Sequence, residues 1–160
     1  MVQFIRQGKP DISTGSNGLL PVPMNTRQKI SNWIVATLRE SAWAPLGVFG
    51  FYLVGLVLGL FRRFPPLDIP THFMGGVSIT YFFRSAIRNS QTYFGDIPPL
   101  IQILFAFTCT GTTIILWEFY ENAFDALFGT TMVRGLEDTI TDMFIGLTGA
   151  LVFSLVYRRR

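Results

Sequence analysis

The chain has 160 residues, of which 49% are hydrophobic, with 16 phenylalanines and a mean hydropathy of +0.40. That is far more apolar side chain than the core of one small soluble domain requires, and a membrane solvent is the simplest explanation. The formal net charge of +3 comes from arginines standing singly or in pairs between apolar runs, which argues against nucleic-acid binding, and the lone Cys109 excludes an internal disulfide and a cysteine-built zinc site within one chain.

Residues 1–24 are rich in Gly, Pro and Ser, lack periodicity and read as a flexible tail. This stretch has no continuous apolar region and no small-residue cleavage site, so no secretory signal is expected. Over residues 25–42, Ile30, Trp33, Ile34, Thr37, Leu38 and Ser41 recur at helical spacing while Arg27, Lys29, Arg39 and Glu40 fall elsewhere. The pattern predicts a short amphipathic helix at the membrane interface, although a soluble surface helix would show it too.

Residues 43–160 carry four further apolar segments. "WAPLGVFGFYLVGLVLGLF" (43–61) has no charge and suffices for one crossing, given about 20 residues for a hydrocarbon core of about 30 Å. "IPTHFMGGVSITYFF" (69–83) is shorter, whereas "PLIQILFAFTCTGTTIILWEFY" (99–120) and "TITDMFIGLTGALVFSLVY" (139–157) are of ordinary length with acids near one end. None alternates with the period of a strand. The expected fold is therefore an all-α polytopic membrane protein, four transmembrane helices preceded by the interfacial helix.

With four crossings, Arg27, Lys29, Arg39, Arg84, Arg88 and the terminal Arg158, Arg159 and Arg160 share one side, leaving Arg62, Arg63 and Arg134 on the other. The positive-inside rule then makes both termini cytoplasmic. In that topology Asp68 and His72 open the second span, Glu118, Glu121 and Asp125 end the third, and Asp138 and Asp142 open the fourth. All reach the non-cytoplasmic leaflet.

Glu118, Glu121 and Asp125 fall within about 60° of arc on one helix face, and Asp68 with His72, like Asp138 with Asp142, are one turn apart. Gly76, Gly111, Gly146 and Gly149 continue the same faces, so these faces are expected to turn into the bundle. A carboxylate at membrane depth costs about 2.5–3.5 kcal/mol. Either some acids stay protonated or one or two divalent metal ions supply the missing charge, His72, Glu118, Glu121, Asp138, Asp142 and Asp68 being the candidate ligands. Oxygen donors suit Mg, Mn or Ca, and the imidazole also admits Zn or Fe.

Plain structural roles compete with this. Asp68 in "LDIP" and Asp96 in "GDIPP" both have the setting of helix N-caps, and Asp138 sits where a helix dipole favours an anion. No cap rule asks for acids at a helix C-terminus, which makes Glu118 and Glu121 the strongest individual candidates. Gly55 and Gly59 form a GxxxG pair, a sign of close helix contact, and Cys109 reads as packing filler.

The ordered motifs "DIPTHFMGG", "WEFYE" and "DTITDMFIGLTGA" resemble the YjdF-type and VanZ-like small inner-membrane proteins over residues 68–157. On that resemblance Asp68, His72, Glu118, Glu121, Asp138 and Asp142 are the matching positions, and the setting is the bacterial inner membrane. VanZ-like proteins are linked to glycopeptide resistance at the cell envelope. A looser similarity to small diacylglycerol-kinase-type lipid kinases is weakened because no lysine precedes Asp138 or Asp142.

Three functions remain open. The first is an enzyme with a metal or acid/base site acting on a lipid-linked envelope substrate, with Glu118, Glu121 and His72 as catalytic groups. The second is a proton or cation relay, and the third a non-catalytic envelope accessory protein. Membrane lipids are the expected partners, an oligomer is compatible with the sequence, and no nucleotide-binding loop is present.

Overall fold

The first helix starts where the sequence supplies a cap. The Asn25 side chain accepts from the Gln28 backbone N–H at 2.9 Å, and the Gln28 side chain accepts from the Asn25 backbone N–H at 3.1 Å. This reciprocal box satisfies two donors that a helix start leaves open. The computed structural model describes residues 24–157, and every regular element among them is helical. In order they are α1 (Thr26–Ser41), α2 (Trp43–Val57), the short α3 (Leu60–Arg63), a 3-10 turn at Pro65–Leu67, α4 (Asp68–Phe94), α5 (Pro99–Phe128) and α6 (Leu136–Val156). The expected tail, apart from Met24, and the three terminal arginines lie outside the described residues.

Two of these helices, α5 and α6, are long and apolar enough to cross a bilayer, and α1 with α2 makes a third if the pair is one span bent by 55°. This differs from the expectation of four spans behind a separate surface helix at two places. α2 alone has 15 residues, a rise of about 22 Å against a hydrocarbon core of about 30 Å. Only Ala42 separates it from α1, so the expected surface helix and first span form a bent pair. α4, at 27 residues, is long enough but includes Asp68, His72, Arg84 and Arg88. Its position accounts for this. α4 packs against α1, α2, α5 and α6, so its polar groups meet protein rather than lipid.

α4 and α6 run in the same direction. His72 lies opposite Asp142, and a turn or more further on Tyr81 packs against Phe153 and Tyr157. α5 runs the other way, bringing Glu118 to His72 and the Thr110 hydroxyl to that of Thr80 at 3.0 Å. Glycine makes the α4–α6 contact possible: a Cβ on Gly76 would stand 1.9 Å from the Gly146 carbonyl oxygen, and one on Gly149 would stand 2.2 Å from that of Phe73. Ala106, Ala150 and Thr80 are completely buried in the middle of the bundle. Leu116, Phe119, Phe144, Leu155 and Val156 are exposed, an apolar exterior suited to lipid.

Away from His72, α1 docks on α4. Trp33 Nε1 donates to the Ala86 carbonyl at 2.7 Å, and Glu40 accepts from Arg88 and, at 3.0 Å, from Asn89. Gly55 and Gly59 serve a different purpose from the helix seam their spacing predicts. Gly59 takes the left-handed conformation (φ 65°) at the α2–α3 break, and a Cβ on Gly55 would come within 2.6 Å of the Phe61 ring. The pair folds the segment back on itself.

Candidate metal centre

α4 opens with "DIPTH", a proline in its first turn and two ionisable groups spaced one turn apart. Asp68 has the setting of an N-cap, yet it is the first helical residue and caps nothing with its side chain. Its carboxylate instead lies 3.4 Å from His72 Nε2 and also accepts from the Arg134 guanidinium. Asp142, on α6, reaches the same imidazole nitrogen at 3.7 Å, while Glu118 of α5 lies 4.0 Å from Nδ1. Both ring nitrogens thus face carboxylates, and these come from all three long helices.

Glu121 sits one turn beyond Glu118 and accepts a 2.9 Å hydrogen bond from the Tyr52 hydroxyl of α2. Glu118 is 2% exposed and Glu121 6%. Glu118 Oε1 is buried with no hydrogen-bond partner, a costly state for a carboxylate unless something positive or protic completes it. Two triplets, Asp68–His72–Asp142 and His72–Glu118–Glu121, each offer ligand atoms lying within 4.8 Å of one another. They share His72. One imidazole with several carboxylates is a donor set for Mg, Mn, Ca, Zn or Fe, and the orphaned Glu118 oxygen fits a cation.

The remaining sequence candidates lie at the margin. Asp138 accepts from the Arg134 backbone N–H at 3.0 Å and pairs with its guanidinium at 3.3 Å, so Arg134 ties Asp138 of α6 to Asp68 of α4. Asp138 belongs to neither triplet. Asp125 turns to the α5–α6 connection, accepting from Thr130 Oγ1 and from the Met132 and Val133 backbone N–H groups, each at 2.9 Å for the latter two. Asp96 is not the cap of α5, whose N-cap position is Pro98. The group that sequence reasoning missed is Tyr52; its signal was a hydroxyl in the middle of an otherwise apolar helix.

Two cavities flank the cluster and share Tyr52. On one side an apolar cleft of about 100 Å³ has walls that include Val48, Phe49, Ile79, Trp117 and His72. On the other a vestibule of about 610 Å³ reaches Asp68 and Glu121 and is edged by Arg62, Arg63 and Arg134. Hence the acids and imidazole stand between an apolar wall and a partly basic opening.

No curated protein and no solved structure matches the chain. The all-helical fold, the apolar exterior and the candidate spans agree with the family match. The family described as "Predicted membrane protein (DUF2238)" matches residues 29–160, well over half of the sequence, and the chain belongs to that family.

Proposed function

We propose that this membrane protein is a metal-dependent enzyme acting on a lipid-linked substrate of the bacterial cell envelope, with its reacting centre at the Asp68–His72–Glu118–Glu121–Asp142 cluster. One observation carries the reading: His72 faces Asp68 and Asp142 through one ring nitrogen and Glu118 through the other, and that Glu118 oxygen, Oε1, is buried 4.0 Å from the ring with no hydrogen-bond partner. Four carboxylates and one imidazole at the end of an apolar bundle need added positive charge, and a divalent ion supplies it compactly. When bound, such an ion polarises a phosphoryl or carbonyl oxygen and makes water a better nucleophile. Either triplet, Asp68–His72–Asp142 or His72–Glu118–Glu121, would hold such an ion, Tyr52 orients Glu121, and Arg134 with Asp138 anchors Asp68.

In this reading α1–α2, α4, α5 and α6 form four crossings, with both termini cytoplasmic and the cluster toward the outer leaflet, as the arginine distribution favours. The motif order also supports kinship with the YjdF-type and VanZ-like proteins. The alternative of a relay running through one copy of the chain gains less support, because Ala106, Ala150 and Ile114 fill the bundle beyond the cluster.

Elemental analysis of the detergent-purified protein tests the metal reading. Stoichiometric divalent metal in the wild type, lost in Glu121→Ala, is the expected result. A well-folded wild type that takes up no metal when Mg, Mn, Ca, Zn or Fe is supplied refutes it.

A further inference from the structure

The vestibule contains positive charge that the cluster does not use. Arg134 is occupied by Asp68 and Asp138. Arg62 and Arg63, both exposed at the end of α3, line the same vestibule and have no hydrogen bond or ion pair among the described residues. The left-handed turn at Gly59 and the closure of Gly55 onto Phe61 fold α3 back, bringing these arginines to the opening that Asp68 and Glu121 also line. Across Tyr52 the surface changes abruptly. Phe49, Val48, Ile79 and Trp117 line the apolar cleft, and Phe49, Tyr52 and Trp117 pack edge to face or stacked as one aromatic wall.

We propose that the two cavities form one binding site for an amphiphile with a phosphate-bearing headgroup. The phosphate lies in the vestibule against Arg62 and Arg63, and the headgroup-proximal part of an apolar chain lies in the cleft against Phe49, Val48, Ile79 and Trp117. Guanidinium groups recognise phosphate by paired, charge-assisted hydrogen bonds, and an aromatic wall accepts an alkyl or isoprenoid chain without polar cost. A neutral or cationic headgroup would leave both arginines unused. A free phosphate would leave the cleft unused. The inference rests on the metal-centre reading for what the headgroup is presented to, and not for its binding.

The test uses the full chain in detergent, in metal-free and metal-loaded forms, with three probes: dihexanoyl phosphatidic acid, dihexanoylglycerol and inorganic phosphate. Metal-free protein is expected to bind the phosphatidic acid about tenfold or more tightly than either other probe. Arg62→Gln/Arg63→Gln is expected to remove the preference over dihexanoylglycerol, and its exposed positions leave the bundle intact. Val48→Arg, which places a charge in the cleft, is expected to reduce phosphatidic acid affinity to that of inorganic phosphate. Equal binding of phosphatidic acid and dihexanoylglycerol overturns the proposal, as does an unchanged preference in the double variant. Binding of inorganic phosphate as tight as that of phosphatidic acid overturns it by removing the cleft. Arginine-dependent binding in a protein that takes up no metal would sustain this inference and defeat the metal-centre reading.

Discussion

Gly76→Ala is the perturbation that links the fold most directly to the centre. The new Cβ would stand 1.9 Å from the Gly146 carbonyl oxygen, 2.8 Å from its carbon and 3.1 Å from the Ala150 nitrogen. All three are backbone atoms, so no side chain can swing away. Ordinary contact begins near 3.4 Å, so α4 and α6 must part by about 1.5 Å at this level. Overpacking of a core costs about 1–3 kcal/mol, and a clash of backbone on backbone belongs at the upper end. His72 lies one turn from Gly76 on α4, and its 3.7 Å approach to Asp142 crosses the same seam. The separation therefore also opens the Asp68–His72–Asp142 triplet. Gly75→Ala is the control, since a Cβ there meets nothing within 4 Å and gains about 0.5–1 kcal/mol of helix preference. Thermal unfolding in one detergent, read beside metal content, should show Gly76→Ala less stable by about 3 kcal/mol and depleted of metal, with Gly75→Ala at or above wild type. Equal stability and metal content in the two variants would refute the packing argument.

Tyr52→Phe removes the 2.9 Å bond to Glu121 and should weaken metal binding about tenfold or more while costing about 1 kcal/mol of stability; a competitive chelator titration measures the first and unfolding the second. Asp125→Ala takes away the acceptor for the Met132 and Val133 N–H groups. It should cost about 1–3 kcal/mol and speed hydrogen exchange in the α5–α6 connection, with metal stoichiometry unchanged; metal loss would place Asp125 in the centre. Arg134→Gln unties Asp68 from Asp138 and should make the Asp68–Asp138 end more mobile. Faster hydrogen exchange at the start of α4 and α6 checks this, and unchanged exchange in both would contradict it.

The sequence disclosed the helical character, the gathering of polar residues at one end and the small-residue faces of α4 and α6, because each depends on local spacing. Gly76 and Gly146 sit one turn from His72 and Asp142, and Gly149 two turns from Asp142, and the helix period alone places them on the packed faces. The extent and role of α4 were less legible. A central helix surrounded by protein can carry Arg84 and Arg88, both meeting Tyr157 just past the end of α6 and one of them tied to α1 through Glu40, without an unbroken apolar run to mark it. Asp125 shows the opposite difficulty. Its period matches Glu118 and Glu121, but α5 continues to Phe128 and the chain then turns back, so a loop contact decides where that carboxylate points. Tyr52 belongs to α2, far from the acids in sequence. Only tertiary packing brings its hydroxyl to Glu121.

X-ray absorption of the protein loaded with one divalent metal, wild type beside His72→Gln, shows whether His72 is a ligand of the centre. A shell of oxygen donors with one imidazole is expected in the wild type, and loss of the imidazole signature in the variant. A wild-type spectrum without imidazole, or one unchanged by His72→Gln, would contradict that role for His72.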